Sequence, residues 1–194
     1  NFQVIENYKK NGVVIGLSGG LDSSLTASLS VKSLGKENVL GLILPEKESS
    51  PSSYKLAKSL ANKLKIKYEV IDITKILDSY QVYKNRENIV KKYFPKFNQK
   101  CKYGLSIPQY NLVNSGLRIP FLEVEDTKKQ IHKFKIAPYD FTTLSSLTSI
   151  KHRTRMTILY SYAEKNNLVV VGSTNKSEYA QGYFVKYGDG GVDI

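Results

Sequence analysis

Val13-Val14-Ile15-Gly16-Leu17-Ser18-Gly19-Gly20-Leu21-Asp22-Ser23-Ser24 is a β-branched run, a glycine pair and a polar segment in succession. The apolar run reads as a buried strand. Gly19 and Gly20 supply backbone freedom for a tight turn and let the chain approach a ligand closely. Ser18, Asp22 and Ser23 fall where a helix begins. The first amides of a helix have no intrahelical acceptor, and its dipole is positive at that end. Strand, glycine turn and helix start together make a nest for an anion, above all a phosphate. The plainer alternative is an ordinary strand-to-helix turn capped by Asp22. No lysine follows the glycines, so the stretch is not the Gly-x-x-x-x-Gly-Lys-Ser/Thr loop of the common nucleotide hydrolases.

On the amino side, Phe2, Val4, Ile5 and Tyr8 predict a short amphipathic helix over residues 2–10. On the carboxyl side a helix is expected from Asp22 to Leu34, with Leu25, Ala27, Leu29 and Val31 as its apolar side and Gly35 ending it. Asn38–Leu44 reads as a second strand, apolar almost throughout, as a strand covered on both faces is. A polar loop covers Glu46–Ser53. A helix over Ser52–Leu64 carries Leu56, Ala57, Leu60, Ala61 and Leu64 on one face, and Tyr68–Ile73 reads as a third strand. This alternation predicts an α/β fold: a doubly wound, Rossmann-like parallel sheet with right-handed crossovers, taking ligands at the carboxyl ends of its strands.

Residues 74–148 break the alternation. Helices are expected at Thr74–Tyr83 and Glu87–Phe94. Pro95, Pro108, Pro120 and Pro138 then punctuate aromatic and β-branched pieces, of which Leu117–Val124 and Gln130–Ile136 suit a hairpin around Glu125–Lys129. Residues 81–148 read as an atypical insertion, a lid or an interface element within one domain spanning 1–194. His132 stands alone in it and receives no role. Regular structure is expected to return near Ser149. A helix over Lys151–Lys165 places Met156, Leu159, Tyr160 and Ala163 on one face. A strand follows at Leu168–Val171, then a second strand-to-helix turn at Gly172–Glu178 and a glycine-rich loop of special shape at Gly182–Ile194.

The length of 194 residues suits one domain with a sizeable core. Contents of 41% hydrophobic and 24% charged residues are those of a globular protein. No apolar run is long enough for a membrane span, and the first residues do not resemble a signal peptide. The single cysteine, Cys101, excludes an internal disulfide and a Cys-x-x-Cys metal site, and it fits a reducing cytoplasm. A net charge of +12 raises nucleic acid as a partner. Lysines are spread over the whole chain, however, which favours a solvated basic surface or an anionic small-molecule substrate. The chain begins with Asn1 and stops at Ile194 inside a motif-dense stretch, so it is expected to be incomplete at both ends.

Three blocks stand in order: Leu-Ser-Gly-Gly-Leu-Asp-Ser-Ser at Leu17–Ser24, Gly-Ser-Thr-Asn-Lys-Ser-Glu at Gly172–Glu178, and Gly-Tyr-Phe-Val-Lys-Tyr-Gly-Asp-Gly-Gly-Val-Asp-Ile at Gly182–Ile194. Together they closely resemble the NAD⁺ synthetase family. The first block is similar to the pyrophosphate-binding loop of several ATP pyrophosphatase families; the last is far more specific. Leu44-Pro45 followed by Ser49-Ser50, and Arg153-Thr154-Arg155-Met156, are supporting matches. The resemblance covers residues 1–75 and 149–194.

It implies a two-step reaction in which the nicotinate carboxylate of deamido-NAD⁺ attacks the α-phosphate of ATP, pyrophosphate leaves, and ammonia then displaces AMP. It implies that Gly16, Leu17, Ser18, Gly19, Gly20, Leu21, Asp22 and Ser23 bind ATP, joined by Ser173, which stands where the family places an ATP-contacting threonine. Asp22 and Glu178 would hold Mg²⁺, as a hard cation prefers. Arg153, Lys186 and Asp193 match the family's deamido-NAD⁺ contacts. Asp22 and Lys186 are the residues expected to carry catalysis, mostly by positioning and charge neutralisation. A homodimer with the acceptor at its interface is implied as well. Cys101 lacks the setting of a glutaminase nucleophile, so ammonia would be free or supplied by a separate glutaminase.

Taken singly, Glu178 also reads as a first-turn carboxylate favoured by the helix dipole, and Arg153 and Lys186 as surface cations. Ser149 replaces the family's usual Asn. His152 and Glu46-Lys47 stand where small residues are usual, and residues 81–148 are longer than the family's and unlike it. The acceptor therefore stays open to another carboxylate, such as a sugar acid. Two further alternatives are an RNA-modifying ATP pyrophosphatase and a nucleotide-binding module without catalysis. The Lys186–Asp193 block and the lack of paired cysteines weigh against the RNA enzyme.

Overall fold

The computed structural model describes residues 7, 9–98, 100–106 and 120–194. Most of the helix expected over residues 2–10, and residues 117–119 of the expected hairpin, lie outside these. In chain order the elements are β1 (Gly12–Gly16), α1 (Leu21–Leu34), β2 (Val39–Ile43), α2 (Pro51–Leu64), β3 (Lys67–Val70), α3 (Thr74–Ser79) and α4 (Val82–Tyr93). They continue with β4 (Lys102–Ser106), β5 (Phe121–Glu125), β6 (Ile131–Lys135), α5 (Pro138–Asn166), β7 (Leu168–Val171) and α6 (Lys176–Gln181). The chain divides into two compact units, residues 1–77 with 149–194, and residues 78–148.

The first unit is built on a four-stranded parallel sheet in the order β3-β2-β1-β7. β1, β2 and β7 are apolar because both their faces are covered, whereas the edge strand β3 is mostly exposed and carries Lys67 and Glu69. Val13, Ile15, Val39, Ile43 and Val169 pack with Ala27 of α1 and Ala57 and Ala61 of α2. From β1 the chain steps outward to β2 and β3, and it returns to the other side of β1 only at β7. The strand order thus reverses between β1 and β7, the point at which open α/β sheets receive ligands.

Helix α1 buries only part of the side expected. Ser23 and Ala27 are buried, whereas Leu25 and Leu29 are 56% and 54% exposed. Of the four residues expected on the apolar side, Ala27 and Val31 do pack on the core; Leu25 and Leu29 do not, because residues at every second position turn by about 200° and cannot all share a face. Ser23 and Ala27, four apart, do. In α2 the expected stripe holds at Ala57 and Ala61, while Leu56 points outward.

The second unit carries an antiparallel sheet, β4-β5-β6. Leu122, Val124 and Ile136 pack there with Ile89, Val90, Phe97, Cys101 and Leu144. The expected hairpin is present as β5 and β6, with Phe121 opposite Lys135 and Glu125 opposite Ile131. Its turn is organised by Asp126, whose Oδ1 accepts the amides of Lys128 at 2.8 Å and Gln130 at 3.0 Å. Asp126 Oδ2 lies 3.0 Å from His132 Nε2, and the imidazole packs 5.0 Å from the Phe94 ring. His132 is therefore an internal partner of the hairpin and not alone. Strand β4 was not anticipated. Helix α5 starts well before Ser149, because Pro138 is its first residue, where proline's missing N–H costs nothing. Within this unit burial pushes the Asp140 carboxyl up, but Lys92 Nζ at 2.9 Å and the Tyr93 hydroxyl at 2.9 Å hold it below its ordinary range. No helix among the described residues is long and apolar enough to cross a membrane.

Candidate active site

The glycine turn leaves β1 at the switch point. Leu17 is buried and its N–H donates to the Leu42 carbonyl at 2.8 Å, which fixes the direction of the turn. Gly19 adopts φ +80°, and a Cβ there would lie 2.4 Å from the Ser53 carbonyl oxygen of α2. Gly20 has an ordinary φ of −81° and is the N-cap of α1, with no side-chain cap bond. Only the first glycine is thus demanded by the backbone, and Asp22 does not cap the helix. Ser18 Oγ accepts the Gly20 amide at 3.2 Å and meets Ser23 Oγ at 3.0 Å. The Ser23 and Ser24 hydroxyls donate to the Gly20 carbonyl at 3.1 and 2.7 Å. The serines shape the loop from within, and the first-turn amides of α1 receive no side-chain acceptor among the described residues. Asp22, half-buried in that turn, makes no hydrogen bond or ion pair with another described residue.

The second strand-to-helix turn leaves the adjacent strand, β7, on the same side of the sheet. Asn175 and Glu178 form a capping box: Asn175 Oδ1 accepts the Glu178 amide at 2.9 Å, and Glu178 Oε2 accepts the Asn175 amide at 3.0 Å. One carboxylate oxygen of Glu178 is spent on the helix and the other is not.

Helix α5 closes the site. His152, Arg155, Met156 and Leu159 recur at helical spacing and line a cavity of about 410 Å³ together with Gly16–Ser18, Leu42–Pro45 and Ser173. The volume and the largely apolar wall with a few polar groups are those of a small-molecule pocket. Arg155 Nε donates to the Leu44 carbonyl at 3.1 Å. Lys151 Nζ bonds Glu46 Oε1 at 3.0 Å and Glu48 Oε2 at 2.7 Å. Glu46, an unusual residue at its position by resemblance, therefore ties the loop after β2 to α5.

Residues 182–194 fold back along β7. The Gly172 amide donates to the Ile194 carbonyl at 2.7 Å and the Asp193 amide to Val170 O at 3.1 Å. Both carboxylate oxygens of Asp193 are engaged by protein: Oδ1 by the Tyr160 hydroxyl at 2.8 Å and Oδ2 by the Val170 amide at 2.9 Å. Arg153 Nε donates to the Lys186 carbonyl at 3.1 Å. Lys186 itself is exposed, its Nζ 5.0 Å from the centroid of the Tyr187 ring.

Burial, then the Asp193 carboxylate, push the Tyr160 hydroxyl up to about 12. An unfolded chain releases that proton near pH ~10. The unfolded state therefore loses the proton first, and folded-state stability falls as pH rises between these values. Tyr160→Phe is expected to flatten this part of the stability profile, read as the difference between mutant and parent urea midpoints from pH 9 to 12. Parallel curves would contradict the assignment.

Of the residues expected from sequence, Gly16, Leu17, Ser18 and Ser173 line one cavity. Asp22 and Glu178 follow the carboxyl ends of neighbouring strands. Gly19, Gly20, Leu21 and Ser23 form the turn and helix start beside them, while Arg153, Lys186 and Asp193 belong to the packing of the terminal loop on α5 and β7. His152, Arg155 and Asp189 also line the cavity, although the sequence assigns them no site role. The spacing of 152, 155, 156 and 159 on one helix was the available signal.

A parallel sheet with a glycine turn at its switch point and a pocket against it defines an α/β protein with the Rossmann-like, adenine nucleotide α-hydrolase type of fold. The chain belongs to the NAD synthase family, whose model matches residues 2–115 and 109–194. Those matches run through the middle of the chain, which the sequence resemblance left uncovered. The chain is 38% identical over 197 residues to the NH₃-dependent NAD⁺ synthetase of Coprothermobacter proteolyticus, covering 96% of this chain and 60% of that relative. Among solved structures it is similar to the NMN synthetase of Francisella tularensis, with a TM-score of 0.62 and 26% identity over 97% of this chain and 56% of the other. The NH₃-dependent NAD synthetase of Campylobacter jejuni, in complex with the nitrate ion, gives a TM-score of 0.61 and 28% identity over 96% and 57%. The chain thus spans about 60% of the length of the curated relatives it matches.

Proposed function

We propose that this chain is the ATP-binding part of an ammonia-dependent NAD⁺ synthetase, a ligase forming a carbon–nitrogen bond. The observation that carries the reading is the convergence of the glycine turn, Ser173 and the terminal loop on one cavity at the switch point. ATP enters with its β- and γ-phosphates against the open amides of α1 and its purine in the apolar part of the cavity. The nicotinate carboxylate of deamido-NAD⁺ attacks the α-phosphorus, and the bond to pyrophosphate breaks. The lone pair of ammonia then attacks the activated carbonyl carbon, and AMP leaves. The α1 amides hold the leaving pyrophosphate, Lys186 neutralises charge on the acceptor side, and the apolar wall of the cavity reduces the access of water.

Asp22 and the unspent oxygen of Glu178 suit Mg²⁺, being hard oxygen donors on adjacent strand ends. The described residues contain no group of three or more potential ligands. An ion held there would take these one or two carboxylates and complete its shell with phosphate oxygens and water. When bound, it supplies charge neutralisation on the phosphates.

The test is formation of AMP, pyrophosphate and NAD⁺ from ATP, ammonium and deamido-NAD⁺ by the full-length protein. Failure to turn over deamido-NAD⁺ removes the reading. The similarity to an NMN synthetase supports a second acceptor, the mononucleotide. Turnover of that acid alone would establish it. In either case the assembly expected is a cytoplasmic homodimer, with a separate glutaminase as one source of ammonia.

A further inference from the structure

We propose that His152 is a positioning residue that seats the Lys186 loop beside the cavity by gripping Asp189. His152 Nδ1 lies 3.2 Å from Asp189 Oδ1. The same carboxylate oxygen accepts the Val185 amide at 3.0 Å, and the Asp189 carbonyl accepts the Thr174 hydroxyl at 3.1 Å. Asp189 therefore joins α5, the turn after β7 and the terminal loop at one point. Within the loop the Gly188 and Gly190 amides donate to the Val185 carbonyl at 2.8 and 3.2 Å. It lies so close to α5 that a Cβ at Gly188 would stand 2.9 Å from His152 Cβ. The next residue, Arg153, holds the Lys186 carbonyl at 3.1 Å. Two consecutive side chains of α5 thus hold the loop on either side of Tyr187, while the Lys186 ammonium stays exposed. By resemblance a small residue is usual at position 152, so the grip belongs to this chain.

The chemistry of the pair follows from its surroundings. Burial lowers the His152 pKa, Asp189 opposes this, and Arg155 and Lys151 on α5 reinforce it. Lys151 is in turn paired with Glu46 and Glu48 from the loop after β2. His152 is therefore neutral at pH 7. Asp189 selects the tautomer that carries its hydrogen on Nδ1, which leaves Nε2 as an acceptor.

The test is His152→Ala against His152→Asn in the full-length protein, the asparagine amide replacing the Nδ1–H donor. His152→Ala is expected to speed amide exchange at Val185 and Gly188–Gly191 at least about tenfold, the size of one hydrogen bond to a charged group. Exchange in β1 is expected to stay as it was. The KM for the acceptor should rise about tenfold with a much smaller change in the affinity for ATP. His152→Asn should restore both. Asp189→Ala should move the NMR titration of His152 further down, since Asp189 is the group that raises it. Unchanged exchange in His152→Ala, or an unmoved histidine titration, would overturn the proposal. So would a loss of ATP affinity equal to that for the acceptor, which would make His152 a nucleotide contact. The kinetic part rests on the proposed function. Amide exchange and the titration do not, so an enzyme with another acceptor would fail the assay above and still pass here.

Discussion

Gly19→Ala is expected to weaken ATP binding by at least about a hundredfold, while Gly20→Ala, one residue on, costs about tenfold or less. At φ +80° an alanine is strained, by about 1–2 kcal/mol. The larger cost is steric. The new Cβ would fall 2.4 Å from the Ser53 carbonyl oxygen, 3.1 Å from Leu56 Cβ and 3.2 Å from the Ala57 amide. Two of these are backbone atoms of α2, which cannot swing aside as a side chain would. The turn must lift away from α2, and the α1 amides lose their aim at the phosphates. Gly20 has ordinary backbone angles, and a Cβ there meets only the Ser18 hydroxyl, at 3.3 Å. Calorimetric titration of ATP into both variants, with urea unfolding to establish that each folds, decides the matter. Equal affinities would mean that the turn does not hold the phosphates.

Asp22→Asn is expected to lower kcat/KM by about 10²–10³, the scale of removing one preorganised electrostatic group, and to raise the Mg²⁺ concentration needed for ATP binding. Its effect on stability should be small. A carboxylate in the first turn of a helix contributes about 0.3–1 kcal/mol through the dipole, and Asp22 has no partner among the described residues whose loss would add to this. The contrast separates two readings of one residue: a dipole-serving carboxylate would show the stability change without the kinetic one. Glu178 offers no such separation. Its Oε2 completes the capping box, so Glu178→Gln disturbs the helix start and the ion together.

Both experiments turn on residues whose identity was plain in the sequence and whose surroundings were not. The strand–turn–helix at 13–24 was legible because each part is local. β-branched residues favour a covered strand, glycine permits the turn, and helix amides are open wherever a helix begins. The same holds for Leu168–Val171 with the turn after it, and for the hairpin around Asp126. That Gly19 and not Gly20 is constrained depends on α2, whose Ser53 lies far along the chain. Of the expected apolar side of α1, Ala27 and Val31 face the core while Leu25 and Leu29 do not, since a two-residue repeat does not stay on one helical face. The start of α5 was missed because Pro138 reads as a breaker unless it is known to stand at the first position of a helix.

The sequence by itself determined the class of fold, the strand–turn–helix at its switch point and the resemblance to NAD⁺ synthetases. These rest on periodicity, turn chemistry and ordered motifs, which act over a few residues. Only the tertiary structure decided how the remaining candidates are used. It engaged both oxygens of Asp193 with Tyr160 and Val170, turned Arg153 toward a backbone carbonyl, and put His152 against Asp189. Those partners are separated by tens of residues along the chain. Only the packing of α5 and the terminal loop on the sheet brings them within hydrogen-bonding distance, and no local pattern records it.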